Sequence, residues 1–105
     1  MKDIVIIGAG GFGREVAWLI EEINKVKYQW NIKGFVDENR NIKGNMINGY
    51  KVLGDIEWLQ KQELYAVCAI GNPKVKKNII QQLKGSKVKY PVLIHPSVIK
   101  SDSVE

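Results

Sequence analysis

The chain has 105 residues, 45% hydrophobic and 26% charged, enough for one small domain with a core and unlike a disordered polymer. Its net charge of +5 raises an anionic partner, while a single cysteine, Cys68, excludes an internal disulfide framework. No apolar run approaches the roughly 20 residues of a membrane span and the start carries no signal-peptide pattern, so a cytoplasmic protein with no membrane partner is expected.

Ile4 to Ile7 is a run of β-branched residues, which suits a parallel strand covered on both faces. Gly8, Gly10 and Gly13 follow in the pattern G-x-G-x-x-G, and Val16, Leu19, Ile20 and Ile23 then recur at helical spacing over residues 12–25. Arg14, Glu15, Glu21 and Glu22 fill the outer face of that helix. Glycines at this turn permit a tight bend, close approach by a ligand and close packing of helix on strand. Free N–H groups and the positive end of the helix dipole meet there, which favours phosphate. The alternative is that the glycines serve packing alone.

Residues 32–38 read as a second strand ending on Asp37 and Glu38. In a dinucleotide fold an acidic residue at that place takes the ribose hydroxyls, whereas an Asp ahead of Asn39 also suits a turn. Residues 39–49 are rich in Asn and Gly and are expected to form a surface excursion or a short hairpin. Residues 50–54 suit a brief extended piece, and Asp55 an N-cap for a short helix that turns Ile56 and Leu59 inward. Trp58 is expected in the core or partly covered, and no chemistry is assigned to this stretch.

An apolar strand over residues 65–70 places Cys68 as a small buried residue rather than a nucleophile. Gly71 opens the next turn, Asn72 is placed to N-cap, and Pro73 stands at the first helical position. Val75, Ile79 and Leu83 are expected to form the buried stripe of that helix, ended by Gly85. The two strand-to-helix turns should open on one edge of a parallel sheet, where ligands of such folds lie; Gly71–Asn72–Pro73 is equally readable as a well-made helix start. Lys74, Lys76, Lys77, Lys84, Lys87 and Lys89 fall in a segment without acidic residues. No stacking aromatics interleave with them, so a solvated helix face and an exposed strand edge are expected, with no nucleic-acid partner.

Residues 91–96 read as a short edge strand bounded by prolines. His95, the only histidine, has no nucleophile beside it in the sequence and is expected to be structural. No metal cofactor is expected. Val98 and Val104 are six apart, a single period of the kind that builds parallel β-helices. The chain therefore divides into residues 1–94, a nucleotide-binding unit, and residues 95–105, a linker with the first turn of a β-helix that looks cut.

Four motifs in this order, residues 6–17 (IIGAGGFGREVA), 34–37 (GFVD), 67–73 (VCAIGNP) and 93–97 (LIHPS), resemble the N-terminal domain of the NeuD/PglD-type sugar acyltransferases. The resemblance implies an α/β fold: a small Rossmann-like parallel sheet flanked by helices, with the truncated start of a left-handed β-helix at the C-terminus. It also implies a homotrimer that moves an acetyl group from acetyl-CoA, held by the absent β-helix, to a UDP- or CMP-linked or free amino or sialic sugar. A histidine general base on the β-helix would serve that transfer, so no catalytic residue is expected in this chain. By the same resemblance the sugar nucleotide lies against Gly8, Gly10, Gly11, Phe12 and Gly13, with Asp37 and with Gly71 and Asn72. Some family members carry His where this chain has Phe12, and a phenyl ring offers no hydrogen bond to a sugar oxygen. Two other readings stay open: an NAD(P)-binding module of an oxidoreductase, and a non-catalytic nucleotide-sensing domain.

Overall fold

The structure, a computed structural model, describes residues 2–91 and Leu93. The order is β1 (Lys2–Ile7), α1 (Gly11–Val26), β2 (Trp30–Val36), a 3-10 turn (Arg40–Ile42), β3 (Met46–Ile47), β4 (Tyr50–Gly54), α2 (Ile56–Gln60), β5 (Tyr65–Cys68) and α3 (Pro73–Gln82). Five strands form one sheet in the order β3-β4-β2-β1-β5. All pairings are parallel except β3 with β4.

β1 lies between β2 and β5, and its side chains alternate between two cores as a strand of period two requires. Ile4 and Ile6 pack with Val16, Ala17, Ile20 and Ile23 of α1, while Val5 and Ile7 pack with Ile56 and Leu59 of α2, Ile79 of α3 and Leu83 at its C-cap. Burial on both faces explains why the strand is an unbroken apolar run. The sheet thus carries α1 on one face and α2 with α3 on the other. The chain runs β1 to β2 to β4 in one direction and then crosses back to β5 on the far side of β1. Strand order therefore reverses at β1, and open parallel sheets bind ligands beyond the strand ends at such a point.

Residues 39–49 take the hairpin alternative. Asn48 (φ 51°) and Gly49 (φ 84°) turn β3 back onto β4, because a two-residue turn of this hand needs two left-handed residues. Val75 departs from expectation. It is 43% exposed in the first turn of α3, while Ile79 and Leu83 further along are buried. Cys68 is half-buried rather than buried, and burial pushes its thiol up. Lys74, Lys76 and Lys77 lie exposed on α3, and Lys89 pairs beside Tyr65 at the edge of β5. His95, the expected strand over residues 91–96 except Pro91 and Leu93, and the six-residue period lie outside the described residues.

Candidate functional site

Every β-strand of the parallel core delivers its carboxyl end to the same rim, and each is followed by a turn whose backbone donors need partners. The β1–α1 turn starts at Gly8, whose N–H donates to the Val36 carbonyl (2.7 Å) and whose φ of +103° is open to glycine. A Cβ on Gly8 would meet the Ala69 carbonyl oxygen at 2.9 Å and Ile70 Cγ1 at 3.1 Å, so this glycine lets β5 come close. A Cβ on Gly13 would fall on the Gly8 carbonyl oxygen, so this one seats α1 against the strand end. Gly10 and Gly11 differ: around either, an added Cβ meets nothing within 4 Å. Their missing side chains are not explained by packing among the described residues.

The start of α1 has no side-chain cap and no acidic residue in its first turn. The first bond that closes back on the turn runs from Arg14 N–H to the Gly10 carbonyl (3.1 Å). The amides of Gly11, Phe12 and Gly13 have no carbonyl four residues back within the helix. The other two α-helices among the described residues are finished differently. Asp55 accepts the Trp58 N–H (3.0 Å) at α2, and Glu38 Oε1 accepts the Ile56 N–H (3.1 Å) there. Asn72 Oδ1 accepts from Lys74 (2.9 Å) and Val75 (3.3 Å) at α3. Both of those starts are closed by side-chain oxygens, and the start of α1 has no such cap. Phe12, 50% exposed, stands at this open start.

Asp37 joins the second strand to the turn. Its Oδ2 accepts the Ala9 N–H (2.9 Å) and its Oδ1 the Asn39 N–H (2.9 Å). Gly71 and Asn72 come to the same rim from β5, because Ala69 N–H donates to the Ile7 carbonyl (2.8 Å) and Ile70 touches the space beside Gly8. The expected residues therefore gather from three turns onto one edge, Gly8 to Gly13, Asp37, and Gly71 with Asn72. Two clefts open there. One of about 220 Å3 is walled by Ile7, Gly8, Asp37, Glu38, Ile70, Val75 and Ile79. Exposed Val75 thus belongs to the rim.

The second cleft, of about 280 Å3, is one that sequence reading did not find. Asp37, Arg40, Lys43, Gly54, Asp55, Glu57 and Trp58 line it. Arg40 Nε pairs with Asp55 Oδ2 (3.1 Å), and its Nη2 stands 3.8 Å from Glu57. The Asp55 carboxyl is held below its ordinary value by the Trp58 N–H bond and then by Arg40. The signal for this cleft is non-local: it exists only because β4 lies beside β2 and brings Asp55 next to Arg40. Among the described residues no group of His, Cys, Asp and Glu side chains is placed to hold a metal ion, and no helix is long and apolar enough to cross a membrane.

Residues 3–83 match the family profile of the PglD N-terminal domain. The acetyltransferase domain of PglB from Neisseria gonorrhoeae FA1090, in complex with acetyl coenzyme A, superposes with a TM-score of 0.70 at 28% identity over 90% of this chain and 44% of that one. A second structure of that domain gives 0.70 at 27%, over 91% and 45%. RSP, a Rex-family repressor in complex with β-NADH, shares 16% identity over 99% of this chain and 60% of that one, with a TM-score of 0.57, a likeness of fold. No curated protein matches the chain. The chain spans under half the length of the PglB domain. Since the matched profile covers most of its residues, the chain belongs to the PglD N-terminal domain family.

Proposed function

We propose that this chain is the substrate-binding part of a sugar acetyltransferase and seats a nucleotide-linked sugar on the rim formed by β1, β2 and β5. The observation that carries the reading is the start of α1. It is open where the other α-helices are capped, and its two foremost glycines leave room that no described residue fills. Amides there, with the helix dipole behind them, suit phosphate, the diphosphate of a UDP-linked sugar or the single phosphate of a CMP-linked one.

The chain's own residues bind and orient. Gly10, Gly11, Phe12 and Gly13 take the phosphates by their amides, Gly8 lets the β5 turn approach, and Gly71 with Asn72 bounds the sugar side. The Phe12 side chain supplies an apolar wall and no hydrogen bond, which favours a sugar face without a polar group at that point. Acetyl-CoA, when bound by the β-helix that the family resemblance implies, supplies the thioester carbonyl. None of the described residues is proposed to hold it. The acceptor nitrogen or oxygen is an atom of the sugar, whereas the histidine base and a homotrimeric assembly belong to that β-helix segment in this reading.

Calorimetric titration of the chain with UDP, UDP-amino sugars, CMP-sialic acid and NADH tests it. Saturable binding of a UDP- or CMP-linked sugar, with NADH weaker, is expected. Tight NADH binding with flat sugar-nucleotide titrations would sink the proposal.

A further inference from the structure

Asp37 stands where three connections meet. Its N–H donates to the Gly54 carbonyl at the end of β4 (3.0 Å), Oδ2 accepts from Ala9 in the glycine turn, and Oδ1 accepts from Asn39 in the loop after β2. Asp37 is among the residues that line each of the two clefts. In the dinucleotide pattern an acidic residue here is given to ribose hydroxyls. In this chain each carboxylate oxygen already holds a backbone amide at 2.9 Å.

A carboxylate has about four acceptor positions, so capacity alone does not exclude a ribose. The identity of the bound amide decides. Ala9 immediately precedes Gly10 and Gly11, the two glycines with open space around them. Holding the Ala9 N–H fixes the peptide plane between Gly8 and Ala9, the plane from which the turn through Gly10 and Gly11 departs. A bond from a backbone N–H to an ionised carboxylate is about twice as strong as a neutral one, which suits it to hold a glycine-rich turn.

We propose that Asp37 is a positioning residue that acts through the Ala9 amide: it presents the Gly10–Gly13 amides to a diphosphate and does not serve as the ribose contact. The inference rests on the nucleotide-sugar reading above. It has a distinctive sign. A carboxylate near a diphosphate repels it, so removing the charge should by Coulomb's law strengthen phosphate binding. Positioning demands the reverse.

The experiment is a cycle of two proteins and three probes: wild type and Asp37→Asn, each titrated with UDP, 2′,3′-dideoxy-UDP and inorganic pyrophosphate. Asn is isosteric but loses the charge. All three affinities should fall together by about ten- to a hundredfold, the range of a lost charged hydrogen bond. The Ala9 amide proton should move upfield in the variant's NMR spectrum. An unchanged or increased pyrophosphate affinity overturns the proposal, the former leaving Asp37 merely structural. A loss confined to UDP overturns it too, because that pattern reports a ribose contact. If the variant does not fold, the wild type still decides: equal affinity for UDP and its dideoxy form supports positioning, and a tenfold or larger preference for UDP overturns it. Wild type that binds none of the three probes removes the nucleotide reading itself, a separate result.

Discussion

A methyl group added at Gly13 would sit on the Gly8 carbonyl oxygen, whereas one added at Gly11 would reach open space. The same substitution at two residues of one turn should therefore act in opposite ways. Gly13→Ala forces backbone apart and should cost about 1–3 kcal/mol or more. Gly11→Ala, at a position outside the left-handed region, should leave the fold intact or gain about 0.4–1 kcal/mol by stiffening the unfolded chain. If phosphate approaches Gly11 closely, the second variant should nonetheless bind UDP about tenfold more weakly, or ~1.4 kcal/mol. Thermal unfolding and titration of both variants check this. A Gly11→Ala protein with unaltered affinity would move the ligand away from the turn. Much of the turn was legible at this scale, because glycine spacing, the strand before it and the helix after it are local signals. Which glycine serves packing and which serves space was not, since that depends on how close β5 and the strand end come.

Elements whose ends are written in neighbouring residues were readable, and those defined by distant neighbours were not. Asp55 and Asn72 cap the helices they precede, as their positions imply. The β3–β4 hairpin was left open although Asn48–Gly49 is a hairpin signal, because β3 is only two residues long and shows no alternation. The cleft around Arg40 was missed because its partners are 15 residues and more away in the chain. What anchors β4 to α1 is likewise non-local. Tyr50 Oη donates to Glu21 Oε2 (2.6 Å), and its ring meets Phe35 edge-on at 6.4 Å. Burial, then the Glu21 carboxylate, pushes the Tyr50 phenol from 10.0 up to about 12. The folded value lies above the unfolded one, so the contribution is present below pH 10 and is lost as pH rises through about 12. Tyr50→Phe should therefore be less stable than wild type at neutral pH, with the gap narrowing between pH 10 and 12. Denaturant midpoints across that window measure it, and a constant gap would show that the phenol proton does not hold the contact.

For the whole molecule, the arrangement separates stability from recognition. Both cores lie on the faces of the sheet, whereas the open amides, Asp37 and the clefts lie along the edge where the strands end. A ligand seated there, as proposed, would meet residues from three turns, with the cleft walled in part by Ile7 and Ile79 at the end of one core. It should stabilise the fold by mass action alone, by about 2.7 kcal/mol at a hundredfold excess over its Kd, which raises the melting temperature of a domain this size by roughly 10–20 °C. Exchange of amide hydrogens through local openings should respond unevenly. If phosphates bond the Gly10 to Gly13 amides as proposed, these should slow the most, while the β3–β4 hairpin, on the far side of β2, should follow only the global shift. Hydrogen exchange with and without a saturating UDP-sugar would resolve the pattern. Uniform slowing throughout the chain would mean that the ligand grips the folded state elsewhere. Slowing confined to the turn after β1 and its neighbours would tie recognition to the point where strand order reverses.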